Sequence, residues 1–216
     1  MTTALLAGAS GLVGRECLKL LAGDDGVTQG RGLARRPLPA DGRTRRVKEL
    51  RTQFDDLADH PEWFKVDWVF CALGTTMKTA GSREAFRRVD FDYPLAIARA
   101  ARDQGASQFL LVSAMGANPR SPIFYNQVKG ELEAAVQELG FASLTVARPS
   151  LLLGDRQEWR AGEEIAKRVA WLFPSRSRPV HASQVALALV RAAHRGTRGA
   201  RFLENRELRQ QPSSGQ

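Results

Sequence analysis

Gly8-Ala9-Ser10-Gly11-Leu12-Val13-Gly14 stands between a short apolar run, Ala4-Leu5-Leu6-Ala7, and a segment from Gly14 to Leu21. Val13, Cys17, Leu18 and Leu21 fall on one stripe of that segment at helical spacing. A buried strand that turns through glycines into a helix opens a dinucleotide-binding βαβ unit, here with the spacing G-x-x-G-x-x-G. Each glycine has a physical task. Gly8 permits the tight turn, Gly11 lets a pyrophosphate approach the backbone, and Gly14 lets the helix pack closely on the sheet. Ser10, Leu12 and Val13 offer backbone N–H groups at the positive end of the helix dipole. The plainer alternative is a glycine-rich turn with no ligand; the strand before it and the helix after it favour the nucleotide.

Working outward, strands and helices alternate. Thr28 to Ala34 reads as a second strand ended by Pro37 and Pro39, and a weak third lies between Arg45 and Leu50. Asp67 to Leu73 is a strong strand stopped by Gly74, and Gln108 to Val112 is a fifth. Ser82 to Arg102 reads as helix interrupted at Pro94, and Tyr125 to Leu139 as a further helix. Ser143 to Ala147 is a sixth strand. This alternation predicts an α/β, doubly wound Rossmann fold with a mainly parallel sheet and a small C-terminal substrate-side extension. We expect one domain over 1–216: a cofactor-binding core over 1–150, a small lobe over 151–207 and a flexible tail over 208–216. In the lobe, Glu163 to Phe173 reads as a basic amphipathic helix, packed over the crevice or against a membrane surface, and Ser183 to Ala193 as a helix capped by Ser183.

The end of the second strand selects the nucleotide. An acid there accepts a hydrogen bond from the ribose 2′-OH of NAD, whereas an arginine accommodates the 2′-phosphate of NADP. Here the strand ends Ala34-Arg35-Arg36, with Arg35 standing 21 residues after Gly14, and Asp24 and Asp25 fall too early. Arg35 and Arg36 therefore favour NADP(H), against the alternative of two solvated arginines.

A second constellation follows the fifth strand. Ser113 stands at its C-terminal end, where an open α/β sheet binds its ligands. Tyr125-Asn126-Gln127-Val128-Lys129 puts a phenol and an ammonium on one helical face. A phenol titrates near 10, and a neighbouring ammonium lowers that value. Tyr125 then exchanges a proton with a substrate oxygen, Ser113 holds that oxygen as charge develops, and Lys129 also reaches the nicotinamide ribose. An ordinary helix tyrosine and a surface lysine are the bland alternative.

Composition bounds the rest. Of 216 residues, 43% are hydrophobic and 25% charged, which suits a globular chain with a sizeable core. Two cysteines exclude a disulfide framework and suit a reducing compartment, read as the cytoplasm. No apolar run approaches the ~18 residues of a membrane span. The three histidines show no metal-ligand spacing, and His181 either caps a helix or lines the substrate side. Lys and Arg outnumber Asp and Glu by 32 to 23, a formal charge of +9 that raises the question of nucleic acid. The densest cluster, Arg31 to Arg46, has no interleaved aromatics and reads as a solvated face. The expected partner is therefore a small-molecule substrate, with no specific nucleic acid and no membrane span, for a monomer or homodimer.

Several runs resemble the short-chain dehydrogenase/reductase superfamily, and within it the atypical branch of Tat-interacting-protein-like oxidoreductases and their bacterial relatives. They are Gly8 to Gly14, Ala34 to Leu38, Phe70-Cys71-Ala72-Leu73-Gly74-Thr75-Thr76, Phe86 to Asp90, Val112 to Ala117, Tyr125 to Gly130 and Arg148-Pro149-Ser150. The resemblance implies an NADP-binding Rossmann fold and Ser113, Tyr125 and Lys129 as the catalytic set. It implies Leu73, Gly74 and Thr75 beside the cofactor, and Arg148, Pro149 and Ser150 bordering the nicotinamide. It implies hydride transfer to or from a small carbonyl or alcohol; the alternative within the family is an NADP(H)-binding regulator with little turnover. Gln184 stands where sugar-epimerase relatives commonly carry an acid, which weakens an epimerase reading.

Overall fold

The computed structural model describes residues 2–35, 37–38, 47–154 and 177–212. Arg36, the Arg43–Arg46 cluster and the helix expected over Glu163 to Phe173 lie outside the described residues. Within them the strands are β1 (Thr2–Ala7), β2 (Val27–Ala34), β3 (Val47–Arg51), β4 (Trp68–Cys71), β5 (Gln108–Val112), β6 (Ser143–Arg148), β7 (Leu152–Leu153), β8 (Val180–His181) and β9 (Gly199–Glu204). The main helices are α1 (Leu12–Ala22), α2 (Met77–Ala80), α3 (Arg83–Arg87), α4 (Tyr93–Asp103), α5 (Phe124–Glu138), α6 (Ala182–Arg195) and α7 (Asn205–Arg209). Seven strands form one sheet in the order β3-β2-β1-β4-β5-β6-β9, every pairing parallel. The chain order reverses at β1, and a ligand crevice opens there at the strand C-termini. Strands β7 and β8 make a small parallel pair of their own.

Alternation along each strand divides the core into two layers. Ala4, Leu6, Phe70, Leu110 and Val112 pack on one face with Val13, Cys17 and Leu21 of α1 and Val185 and Leu189 of α6. Leu5, Ala7, Val69, Cys71, Phe109 and Leu111 pack on the other with Ile97 and Ala101 of α4 and Leu132 and Val136 of α5. Burial on both faces is why β1, β4 and β5 read as unbroken apolar runs. It also pushes the Cys17 and Cys71 thiols up to about 12 and about 11, so both are inert core groups at neutral pH.

Three expectations are corrected. The sequence assigns no strand to 199–204, yet β9 extends the sheet beyond β6. As an edge strand it buries only Leu203 fully, so its apolar signal is faint. Helix α6 is capped by His181 rather than Ser183: the His181 side chain accepts from the N3 backbone, and Gln184 Oε1 accepts from His181 N at 3.1 Å. The same Gln184 donates to Arg209 O and Gln211 O at 3.0 and 2.6 Å. Leu208 is fully buried, so the chain is anchored through Gln211 and no tail begins at 208.

Between α3 and α4 the chain is not broken at Pro94 but widened before it. Arg88–Asp92 forms a π-turn, followed directly by α4 with proline in its first turn. A proline has no N–H for the carbonyl four residues back, which here belongs to Asp90. Widening the turn absorbs that lost bond and rotates Asp90 inward, where it is fully buried. At the opposite end of the sheet, helices return to strands through turns over 104–107, 139–142 and 196–198.

Candidate active site

The β1–α1 turn has the geometry its glycines require. Gly8 sits at φ +85°, and a Cβ there falls 2.6 Å from Ala72 O. A Cβ on Gly14 falls 2.0 Å from Gly8 O, so α1 rests directly on the turn. At Gly11 a Cβ would stand 3.3 Å from Gly8 O, a tight backbone contact, so this position too is held close against the turn. Gly11 is the N-cap of α1 and supplies no side-chain cap, and the first turn holds no acid. The N–H groups of Leu12, Val13 and Gly14 precede the intrahelical ladder, which leaves them for an anion. Gly14→Ala is expected to cost at least ~1–3 kcal/mol by overpacking. A thermal melt should show Tm lower by several degrees; an unchanged Tm would show that α1 does not rest on the turn.

After β4, the segment Leu73-Gly74-Thr75 passes over a buried ion pair. Lys129 Nζ lies 2.7 Å from Asp90 Oδ1, with the two side chains 4% and 1% exposed. Asp90 Oδ2 accepts from Thr75 N at 2.8 Å. A Cβ on Gly74 would stand 3.3 Å from Asp90 Oδ1 and 3.7 Å from Lys129 Nζ. One carboxylate thus ties the β4 loop, the π-turn and α5 together. Asp90 is the residue the sequence reading misses. Its signal is an acid four residues after Phe86, on the stripe that Phe86 and Leu95 bury.

Tyr125 is partly buried, its ring 5.5 Å from that of Phe86. Burial raises its pKa; Lys129 lowers it, Asp90 raises it again, and the net shift is upward. This corrects the expected depression. The Lys129 charge faces a carboxylate as well as the phenol, so it cannot pull the phenol toward neutrality. For Lys129 itself, burial acts downward, but Asp90 and Tyr125 outweigh it and hold the ammonium above its usual range.

Ser113 follows β5, its N–H donating to Ala147 O at 2.8 Å. It is 5% exposed, and its hydroxyl has no hydrogen-bond partner among the described residues. A buried hydroxyl without a partner is uncommon and marks a position shaped for a ligand oxygen. The loop beyond it closes on α5 through Asn118 N, which donates to Asn126 O at 3.0 Å. Gly130 makes this possible, since a Cβ there would fall 2.3 Å from Asn118 C.

The remaining expected residues separate. The Arg148 guanidinium turns to Glu133, donating from Nε at 3.1 Å and Nη2 at 2.6 Å, and to Glu204 from Nη1 at 3.0 Å. It also covers the Phe202 ring at 4.5 Å. Its side chain is a staple joining α5, β6 and β9. Pro149 O accepts from Met115 N at 2.8 Å, and Ser150 N donates to Asn205 Oδ1 at 3.0 Å. Arg35 is exposed directly after β2, and Arg51 is level with Ala34 in the neighbouring strand.

Comparisons with known proteins give the family and the fold. A family model described as NAD(P)H-binding matches residues 8–195. Protein HTATIP2 of Rattus norvegicus is 39% identical over 171 residues, covering 78% of this chain and 70% of its own. Protein FMP52, mitochondrial, of Candida albicans is 32% identical over 214 residues, covering 92% and 90%. Among solved structures, MoeE5 in complex with UDP-glucose and NAD superposes with a TM-score of 0.75 at 17% identity, over 93% of this chain and 75% of that one. The UDP-glucose 4-epimerase of Thermotoga maritima gives a TM-score of 0.72 at 14% identity, over 94% and 76%. The chain belongs to the NAD(P)H-binding family, among the atypical short-chain dehydrogenase/reductases that include HTATIP2 and FMP52.

Proposed function

We propose that this protein is an NADP(H)-dependent oxidoreductase that reduces a small carbonyl compound to an alcohol. The observation that carries the reading is the Ser113 hydroxyl at the end of β5, buried with no partner among the described residues; to it Tyr125 adds a phenol kept protonated by burial. The residues present fit a dinucleotide. The uncapped N–H groups of α1, directly after Gly11, would hold the pyrophosphate. The Leu73–Thr75 segment and Lys129 would flank the nicotinamide ribose. When bound, the reduced nicotinamide supplies hydride. The chain supplies the rest: Ser113 donates to the carbonyl oxygen, and the phenolic O–H of Tyr125 delivers the proton to it. Because the phenol titrates above its usual ~10, it stays an acid throughout neutral pH. Reduction should therefore be flat across neutrality and decline only as pH rises through that value. The test is NADPH oxidation across aldehydes, ketones and quinones; tight NADPH binding with none of them turned over would favour the regulator reading.

The 2′-phosphate falls to Arg35, with Arg51 as a second cation beside it and Arg36 as a further candidate. Arg35→Ala is expected to weaken NADPH by about 1.5–3 kcal/mol, roughly 10- to 150-fold, with NADH little changed. Calorimetric titration of both nucleotides decides it; a wild type that binds the two equally would remove the basis for NADP. A reducing compartment suits the two free thiols, and the fungal relatives carry "mitochondrial" in their own names.

A further inference from the structure

Among the described residues, the large apolar side chains left exposed are Met77, Met115, Ile123 and Leu151. They do not scatter. Each stands two residues from a candidate residue of the sequence: Met77 from Thr75, Met115 from Ser113, Ile123 from Tyr125 and Leu151 from Pro149. Their segments follow β4, β5 and β6, three adjacent strands whose C-termini open on one side of the sheet. The bond from Met115 N to Pro149 O holds two of these segments together. Isolated exposed apolar residues are ordinary, but a set confined to the mouth of one crevice marks a binding surface.

Several polar side chains of the same segments are bonded to backbone. Thr76 Oγ1 accepts from Thr79 N and Ser82 Oγ from Ala85 N, both at 3.1 Å. Asn118 Oδ1 accepts from Arg120 N at 2.8 Å, and Ser121 Oγ from Ile123 N at 3.1 Å. Ser150 Oγ donates to Arg178 O at 2.7 Å. These groups each have one bond taken by a turn or cap, while two thioethers and two branched alkyl groups face outward. Methionine adapts its shape to a chain or ring at little cost.

We infer that the substrate carries its carbonyl on an apolar body, an alkyl chain or unsubstituted ring, which lies against Met77, Met115, Ile123 and Leu151. The carbonyl end rests on the oxidoreductase reading above; the apolar body is read from the rim. Hydride from the reduced nicotinamide would go to the carbonyl carbon and the proton from Tyr125 to its oxygen; the oxidised nucleotide and an alcohol leave, and the Tyr125 phenolate regains its proton from water.

Two measurements on the full chain test this. The first is NADPH oxidation with linear aldehydes from propanal to octanal. Each added methylene should raise kcat/KM by about fourfold until the rim is covered. The second is calorimetric binding of the matching non-reducible amides, propanamide to octanamide, to NADPH-loaded protein, with a similar rise per methylene. Met115→Ser and Leu151→Ser replace exposed residues, so folding should survive, with NADPH affinity as the check. Both should flatten the chain-length slope in the two series. An amide slope without aldehyde turnover would sink the oxidoreductase reading and keep the apolar site. An amide series that is flat or does not bind, a slope unchanged in both variants, or a nucleotide sugar bound more tightly than octanamide would overturn the inference.

Discussion

Replacing Tyr125 with phenylalanine is expected to lower carbonyl turnover by roughly 10²–10⁴-fold while nucleotide affinity holds. Only the hydroxyl is lost. The ring keeps its place against Phe86, so the fold has no reason to change. The proton must then come from water, without a positioned acid to deliver it. Steady-state kinetics with equilibrium NADPH binding on the same preparation separates the effects. Wild-type turnover in Tyr125→Phe would remove the phenol from the mechanism.

A loss of the same order in stability is expected from Asp90→Ala. Removing one partner of a buried pair strands the other, and such a change costs about 3–5 kcal/mol. At a urea slope of roughly 2–3 kcal/mol/M the midpoint should fall by about 1–2 M. The sign with pH follows from Lys129, whose folded-state pKa is raised. Lys129's part of the pair is complete below the unfolded value of about 10.4 and is lost as pH rises through the higher folded value. The deficit is therefore read in full at pH 7. Asp90→Asn keeps an acceptor for Thr75 N but no charge, and divides the loss between hydrogen bond and ion pair. It also removes a group that raises the Tyr125 pKa, so the alkaline limb of the reduction profile should move to lower pH. A urea midpoint unchanged in Asp90→Ala would mean the pair is not buried as described.

The sheet was legible because burial on both faces leaves long apolar runs bounded by glycine, as at Ala4–Ala7 and Trp68–Cys71. The fingerprint was legible because glycine at fixed spacing has few other uses. Strand β9 was not, since an edge strand with one fully buried side chain has no period to detect. Asp90 was hidden for a different reason. A buried acid is meaningful only through its partner, and Lys129 lies 39 residues away in sequence. The direction of the Tyr125 shift depended on that same unseen carboxylate. Arg148 shows the converse: the family resemblance implied a place beside the nicotinamide, but Glu133 and Glu204 claim its guanidinium.

The all-parallel sheet also gives the molecule a working end and an idle one. Every strand delivers its C-terminus to the crevice, so the returning turns over 104–107, 139–142 and 196–198 gather at the opposite pole. A fluorophore, an affinity handle or a surface tether attached there would be held by the same rigid scaffold as the site yet face away from it. Immobilised by that pole, the protein would present its crevice to solution in one orientation, which a tag near the β1–α1 turn would not achieve.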